Sequence, residues 1–233
     1  GPTPEAARVI LAAFDDVEKA GAAVAAMIAA GIIPAGLEMM DQAATRAVEQ
    51  YVHAGYDLDA AALLLCESDG TLEEVEEEIG RMTGVLRGAG AYDFRVSQDQ
   101  TERLKFWSGR KAAFATMGRI SPDYYCMDGT IPRKRLAEIL RFIAALEAKY
   151  GLRCPNVFHA GDGNLHPLIL FDANDPDQFR RTELFAAEVL EKCIEVGGTI
   201  TGEHGVGIEK INQMCVQFSP DELEQFRAVK RAF

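Results

Sequence analysis

At 233 residues the chain can form one large or two small domains and bury most of the surface its unfolded form exposes, so its core needs no covalent staples. The 36 acidic side chains against 24 basic ones leave a net charge of −12, which opposes contact with a phosphate backbone and excludes nucleic acid as an expected partner. Five scattered cysteines without a C-x-x-C pair fit reduced thiols in a cytoplasmic protein, and no apolar run has the length of a membrane span or the form of a secretory signal.

Taken in order, residues 7–14 are an apolar β-type run feeding a helix over 15–30, whose acidic start suits a helix N-terminus. Residues 31–36 read as a turn, 41–54 as a helix ending before Gly55, and 61–66 as a buried strand. Ser68 to Thr71 caps an acidic helix over 72–87, and 91–97 alternates as a third strand. Five glutamates among residues 73–78 form a solvated helix face, with a docking face for other subunits as the alternative. Residues 99–119 are helical and hold the densest cationic stretch; its Arg110 has the fork that grips a carboxylate, against simple ion pairing to the acidic surface. Residues 121–132 are strand or irregular, 133–150 a long amphipathic helix and 176–196 another. A short helix lies near 209–218, and Pro220 opens the last one. Two similar rounds, 3–120 and 121–233, without a G-x-G-x-x-G fingerprint, predict an α+β fold. The expected form is a duplicated, ferredoxin-like antiparallel sheet with helices on one side.

Residues 156–172, N-V-F-H-A-G-D-G-N-L-H-P-L-I-L-F-D, put two of the four histidines in one hairpin. Asp162-Gly163 signals a two-residue type I′ turn. That turn sets His159 directly opposite His166, with Cβ atoms about 5 Å apart, a separation at which two imidazoles share one metal ion. Residues 197–210, G-G-T-I-T-G-E-H-G-V-G-I-E-K, place Glu203 and His204 side by side among five glycines. Adjacent side chains point in different directions, so one can face a metal while the other faces a substrate. Two histidines and a glutamate with an open position make a catalytic rather than a closed structural set. The plainer alternatives are imidazoles that stack at a surface and a glycine-rich loop that is an ordinary turn.

These two stretches, with R-I-S-P-D-Y-Y-C-M-D-G-T-I-P at 119–132 and G-L-E-M-M-D at 36–41, resemble the C-terminal part of the FAD-linked oxidases of the vanillyl-alcohol oxidase superfamily over nearly the whole chain. The resemblance implies FAD as cofactor, bound mainly by an N-terminal module absent from this sequence, with the present part capping the flavin and supplying the substrate site. It identifies no residue here that touches FAD. It implies His159, His166 and Glu203 as ligands of a divalent metal (zinc, iron or manganese), Arg110 as holder of the substrate carboxylate, and His204 as the base that takes the 2-hydroxyl proton while hydride leaves C2. Where the D-2-hydroxyglutarate branch of the family has threonine, lysine and asparagine, this chain has Phe114, Cys126 and Leu168, which implies a small 2-hydroxy acid, glycolate or D-lactate. Other subunits of a glycolate-oxidising complex would take the electrons, at a cytoplasmic site or peripherally on the inner face of the membrane, and the chain alone is expected to turn over nothing. The alternatives are D-2-hydroxyglutarate oxidation and, from another class, a stand-alone metal-binding or metal-dependent hydrolytic module with Glu203 or Glu209 as base.

Overall fold

Strand β1 (Ala6–Phe14) is buried on both faces from Val9 onward. Its Ile10, Ala12 and Phe14 join one apolar cluster, and Val9, Leu11 and Ala13 join another on the opposite side. A strand with so continuous an apolar run belongs in a sheet covered on both sides, and the computed structural model, which describes residues 4–233, shows such a sheet. Among these residues there are seven strands in the order β4-β1-β3-β2-β6-β7-β5.

β1 leads through α1 (Val17–Ala29), capped by Asp16 on the N–H of Glu18, to β2 (Gly36–Asp41). Asp41 ends that strand and at once caps α2 (Gln42–Val52), accepting from Ala44 N at 2.8 Å. β3 (Ala62–Gly70) is followed by α3 (Leu72–Gly88), whose first turn is closed by a reciprocal Thr71–Glu74 capping box, and by β4 (Asp93–Val96). The order β4-β1-β3-β2, antiparallel throughout, is the ferredoxin-like arrangement with one extra helix, α2.

After α4 (Gln100–Ile120) the pattern runs again. β5 (Asp123–Cys126), α5 (Leu136–Tyr150) entered through a 3-10 turn at Arg133–Arg135, β6 (Asn156–His159), β7 (Asn164–Phe171) and α6 (Pro176–Glu195) repeat it. The fourth strand of this round is reduced to a bridge between Thr130 and Thr199. The two rounds share one sheet because their second strands pair, β2 with β6, through Met39↔Phe158 and Met40↔Val157. α7 (Ile211–Gln217) and α8 (Pro220–Ala232) complete the chain.

The antiparallel α+β class is the expected one. Helices on one side only is not what forms: α1, α3, α5 and α6 pack on one face, while α2 and α4 cover the other. The expectation also passed over β2, whose six residues run into α2 without an intervening turn.

α4 is held close to the loop after α2 by Gly109. The Tyr56 hydroxyl accepts from Gly109 N at 2.9 Å and donates to Phe106 O at 2.6 Å, and a Cβ at position 109 would lie 2.4 Å from the Tyr56 ring. Gly109→Ala is therefore expected to lower stability by about 2 kcal/mol, read as a lower urea midpoint at unchanged m value.

Candidate active site at the seam of the two halves

The β6–β7 hairpin carries the first arm of the site, in a register two residues from the expected one: His159 pairs with Asn164, and His166 with Val157. A shift of two keeps every side chain on its own face. The two imidazoles therefore still share a face, as diagonal rather than opposed neighbours, with ring centroids 5.0 Å apart. The cause is tertiary. Gly161 N donates to Leu37 O at 2.9 Å and Gly163 O accepts from Ile131 N at 2.9 Å, which withdraws the 160–163 segment from the ladder. Only Gly163 takes the positive φ, +74°, that a type I′ turn would also ask of Asp162.

The second arm is the segment after α6, folded around Asp128. This wholly buried carboxylate accepts from the N–H groups of Gly202 (3.0 Å), Glu203 (3.0 Å) and His204 (2.8 Å), from the Thr201 hydroxyl (2.7 Å) and from Lys210 Nζ (3.3 Å). Burial pushes its pKa up, but the Thr201 hydroxyl, the His204 and Glu203 N–H groups and the Lys210 charge outweigh that and hold it well below the usual carboxylate range. Successive N–H groups wrapped on one anion fix the backbone, and so fix where the Glu203 and His204 side chains start.

The side chains then converge. Glu203 Oε1 lies 3.0 Å from His166 Nε2, 3.6 Å from His204 Nε2 and 3.7 Å from His159 Nε2. The His166 and His204 rings stack, 5.3 Å apart and inclined by 14°. His166 Nδ1 faces the Met127 carbonyl at 3.2 Å, and since a carbonyl only accepts, that nitrogen bears the proton and Nε2 a lone pair. Burial lowers the pKa of His166 and favours this neutral form. A lone pair and a carboxylate oxygen 3.0 Å apart are both acceptors, an arrangement made favourable by a cation between them. His159 Nδ1 meets Glu38 Oε1 at 2.7 Å, and this hydrogen bond raises its pKa against the opposing effect of burial.

Donor atoms of Asp128, His166, Glu203 and His204 all lie within 4.8 Å of one another. Asp128 already has its oxygens taken by five donors and serves as the anchor of the segment. Arg110 reaches the site, but its Nε donates to Glu38 at 2.9 Å, so the ion-pairing role is present alongside any role toward a substrate. One wall is apolar: the Phe114 ring lies 5.9 Å from that of His166, Cys126 Sγ is 3.8 Å from His166 Nδ1, and fully buried Leu168 pairs with Cys126. Burial, and next the nearby Asp128 charge, push the Cys126 thiol up to about 12. Glu209 stands apart from the cluster and accepts from the Tyr125 hydroxyl at 3.2 Å. Sequence reasoning singled out neither Glu38 nor Asp128. Both lie inside stretches that carried the family resemblance, and that position was the available signal.

Because its folded-state pKa is depressed, Asp128 adds stability that is present above the unfolded carboxylate value of about 3.9 and is lost as the pH falls through that value toward the lower folded one. Asp128→Asn, which leaves Lys210 buried and unpaired, is expected to cost about 3 kcal/mol at pH 7. The gap from wild type should narrow below pH 4, as followed by urea denaturation across pH.

Comparison with known proteins bears on the family and the fold. Residues 3–233 match the family described as FAD linked oxidases, C-terminal domain. The chain is 60% identical over 232 residues to the glycolate oxidase subunit GlcD of Escherichia coli (strain K12), covering 100% of this chain and 46% of that protein. It is 35% identical to the glycolate oxidase subunit GlcD of Bacillus subtilis (strain 168), covering 100% and 49%, and 26% identical to a D-lactate dehydrogenase of Anaerostipes hadrus, covering 100% and 50%. It thus spans about half the length of the curated relatives it matches. Among solved structures, p-cresol methylhydroxylase with substrate bound superposes with a TM-score of 0.72 at 14% identity, over 99% of this chain and 51% of that one, which shows a shared fold. With a family match over residues 3–233, the chain belongs to the FAD-linked oxidases, as their C-terminal domain.

Proposed function

We propose that this chain is the substrate-binding part of a flavin-dependent dehydrogenase that oxidises a small 2-hydroxy acid, glycolate or D-lactate, to the 2-oxo acid. The observation that carries the reading is the convergence of three imidazole Nε2 atoms on Glu203 Oε1, beside the Arg110 guanidinium. The names of the relatives, glycolate oxidase subunits and a D-lactate dehydrogenase, support the substrate class.

Two imidazoles with their Nδ1 atoms committed elsewhere and a carboxylate facing both Nε2 atoms suit zinc, iron or manganese. His159, His166 and Glu203 would hold the ion, which when bound supplies Lewis-acid polarisation of the hydroxyl and carboxylate oxygens of the substrate. Glu203 and His204 have about half of their side chains exposed (51% and 46%), so the cluster has an open side where a flavin can meet a substrate. FAD, when bound, supplies the hydride acceptor.

The remaining work falls to side chains of this chain. Arg110 orients the substrate carboxylate, and His204 Nε2 takes the hydroxyl proton, its ring held by stacking on His166. The wall of Phe114, Cys126 and Leu168 offers a second carboxylate no charged partner, so a dicarboxylic acid would bury an unpaired charge there. That favours a small acid over D-2-hydroxyglutarate. A hydrolytic module is less well supported, because Glu209 lies on Tyr125 and not in the cluster, and Glu203, which is in it, is taken here as a ligand and not left free as a base. Electrons would leave through other subunits of a glycolate oxidase complex, at a cytoplasmic site or peripherally on the inner face of the membrane; no helix among the described residues is long and apolar enough to cross one.

Elemental analysis of the dialysed, tag-free chain should find near-stoichiometric zinc, iron or manganese that disappears in His166→Ala. Absence of metal from both proteins after reconstitution would withdraw the ligand assignment. In the flavin-loaded full-length protein, His204→Gln should lower kcat/KM for glycolate by roughly 10³-fold while metal content stays the same; a rate equal to wild type would exclude His204 as the base.

A further inference from the structure

Glu38 has no part in the chemistry proposed above, yet it stands where the two halves of the sheet join. β2 meets β6 through Met39↔Phe158 and Met40↔Val157, and one more step of that register sets Glu38 opposite His159. Opposed residues on one face of a ladder are close enough to touch, and Glu38 Oε1 lies 2.7 Å from His159 Nδ1. The other carboxylate oxygen accepts from Arg110 Nε at 2.9 Å. Both partners are nearly sealed from solvent, with the Glu38 side chain 14% exposed and that of Arg110 9%.

A neutral imidazole presents a lone pair at Nε2 only when its proton sits on Nδ1. The acceptor that Glu38 places at Nδ1 selects that tautomer, turns the ring so that Nε2 faces Glu203, and makes Nε2 a better donor to a cation. Glu38 is not itself placed as a ligand: both of its oxygens are engaged, and the His159 ring stands between it and Glu203. Arg110, on α4, pins the carboxylate and is pinned by it. We propose that Glu38 is a positioning residue, supplied by the first half of the chain, that orients His159 toward the cation and Arg110 toward the substrate carboxylate. This rests on the metal reading given above and extends it: the first half is part of the site, and cation binding and carboxylate binding are linked through one side chain.

Titration with cobalt(II), followed by its visible absorption, tests the assignment on the chain without turnover. The wild type should bind cobalt with a defined band. Glu38→Ala should raise the cobalt Kd roughly 10- to 100-fold and shift the band, and Glu38→Gln, which keeps the packing and one acceptor oxygen, should recover part of the affinity. Thermal unfolding of the metal-free proteins shows which variants fold; if Glu38→Ala does not, Glu38→Gln decides, with an expected loss of about tenfold. Folded variants that bind cobalt with wild-type affinity and spectrum would overturn the role of Glu38 and leave the metal reading standing. A wild-type chain that binds no cobalt would remove both.

Discussion

Five donors converge on the Asp128 carboxylate, and the geometry of the site follows from that convergence. The segment carrying Glu203 and His204 has neither helix nor strand to satisfy its backbone, and buried N–H groups need partners. Asp128 supplies them for three consecutive residues, with Lys210 compensating the charge in a volume closed to water. The same segment presses on the hairpin: a Cβ at Gly202 would lie 2.7 Å from Asn164 Oδ1, so only glycine permits the approach that brings Glu203 to the histidines of β6 and β7. A buried charge with this many hydrogen bonds has one low-energy arrangement. That rigidity is what an active site asks of a loop.

A second constraint acts at the seam of the sheet. α4 turns Arg103, Trp107 and Arg110, spaced at i, i+4 and i+7, toward the strands, and each arginine meets a glutamate of the sheet. Arg103 Nε donates to Glu67 at 2.8 Å, and Arg110 donates to Glu38. Gly36 admits the Trp107 ring, whose atoms would lie 3.2 Å from a Cβ there. The charges under this helix are thus paired one to one, as groups nearly removed from water must be. At its Arg110 end the row passes into the His159, His166, Glu203 cluster, so the ion-paired row that seats α4 is continuous with the candidate chemistry.

The sequence carries clear signals where the physics is local. Capping residues, apolar periodicity and proline positions place the helices, as Pro220 and the cap ending at Thr71 illustrate. The types of side chain in the two glycine-rich stretches pointed to a metal-compatible cluster, and the fold brings His159, His166, Glu203 and His204 together within a few ångströms. The hairpin was recognisable, but its register was not, because loop residues are claimed by Leu37 and Ile131 from outside the hairpin. β2 is hidden because its residues run straight into α2 without a turn signal to mark where strand gives way to helix.

The sequence by itself determined the helices and every strand but β2, through interactions that span a few residues, and it supplied the imidazoles and carboxylates from which a site can be made. Only the tertiary structure decided that both faces of the sheet are covered, that Glu38 meets His159 across 121 positions and that Asp128 gathers the backbone of residues 202–204 across some 75. Those contacts form between strands and loops that nothing in their local sequence brings together. They exist because burying two apolar faces of one sheet closes the chain on itself, and polar groups trapped by that closure must find one another.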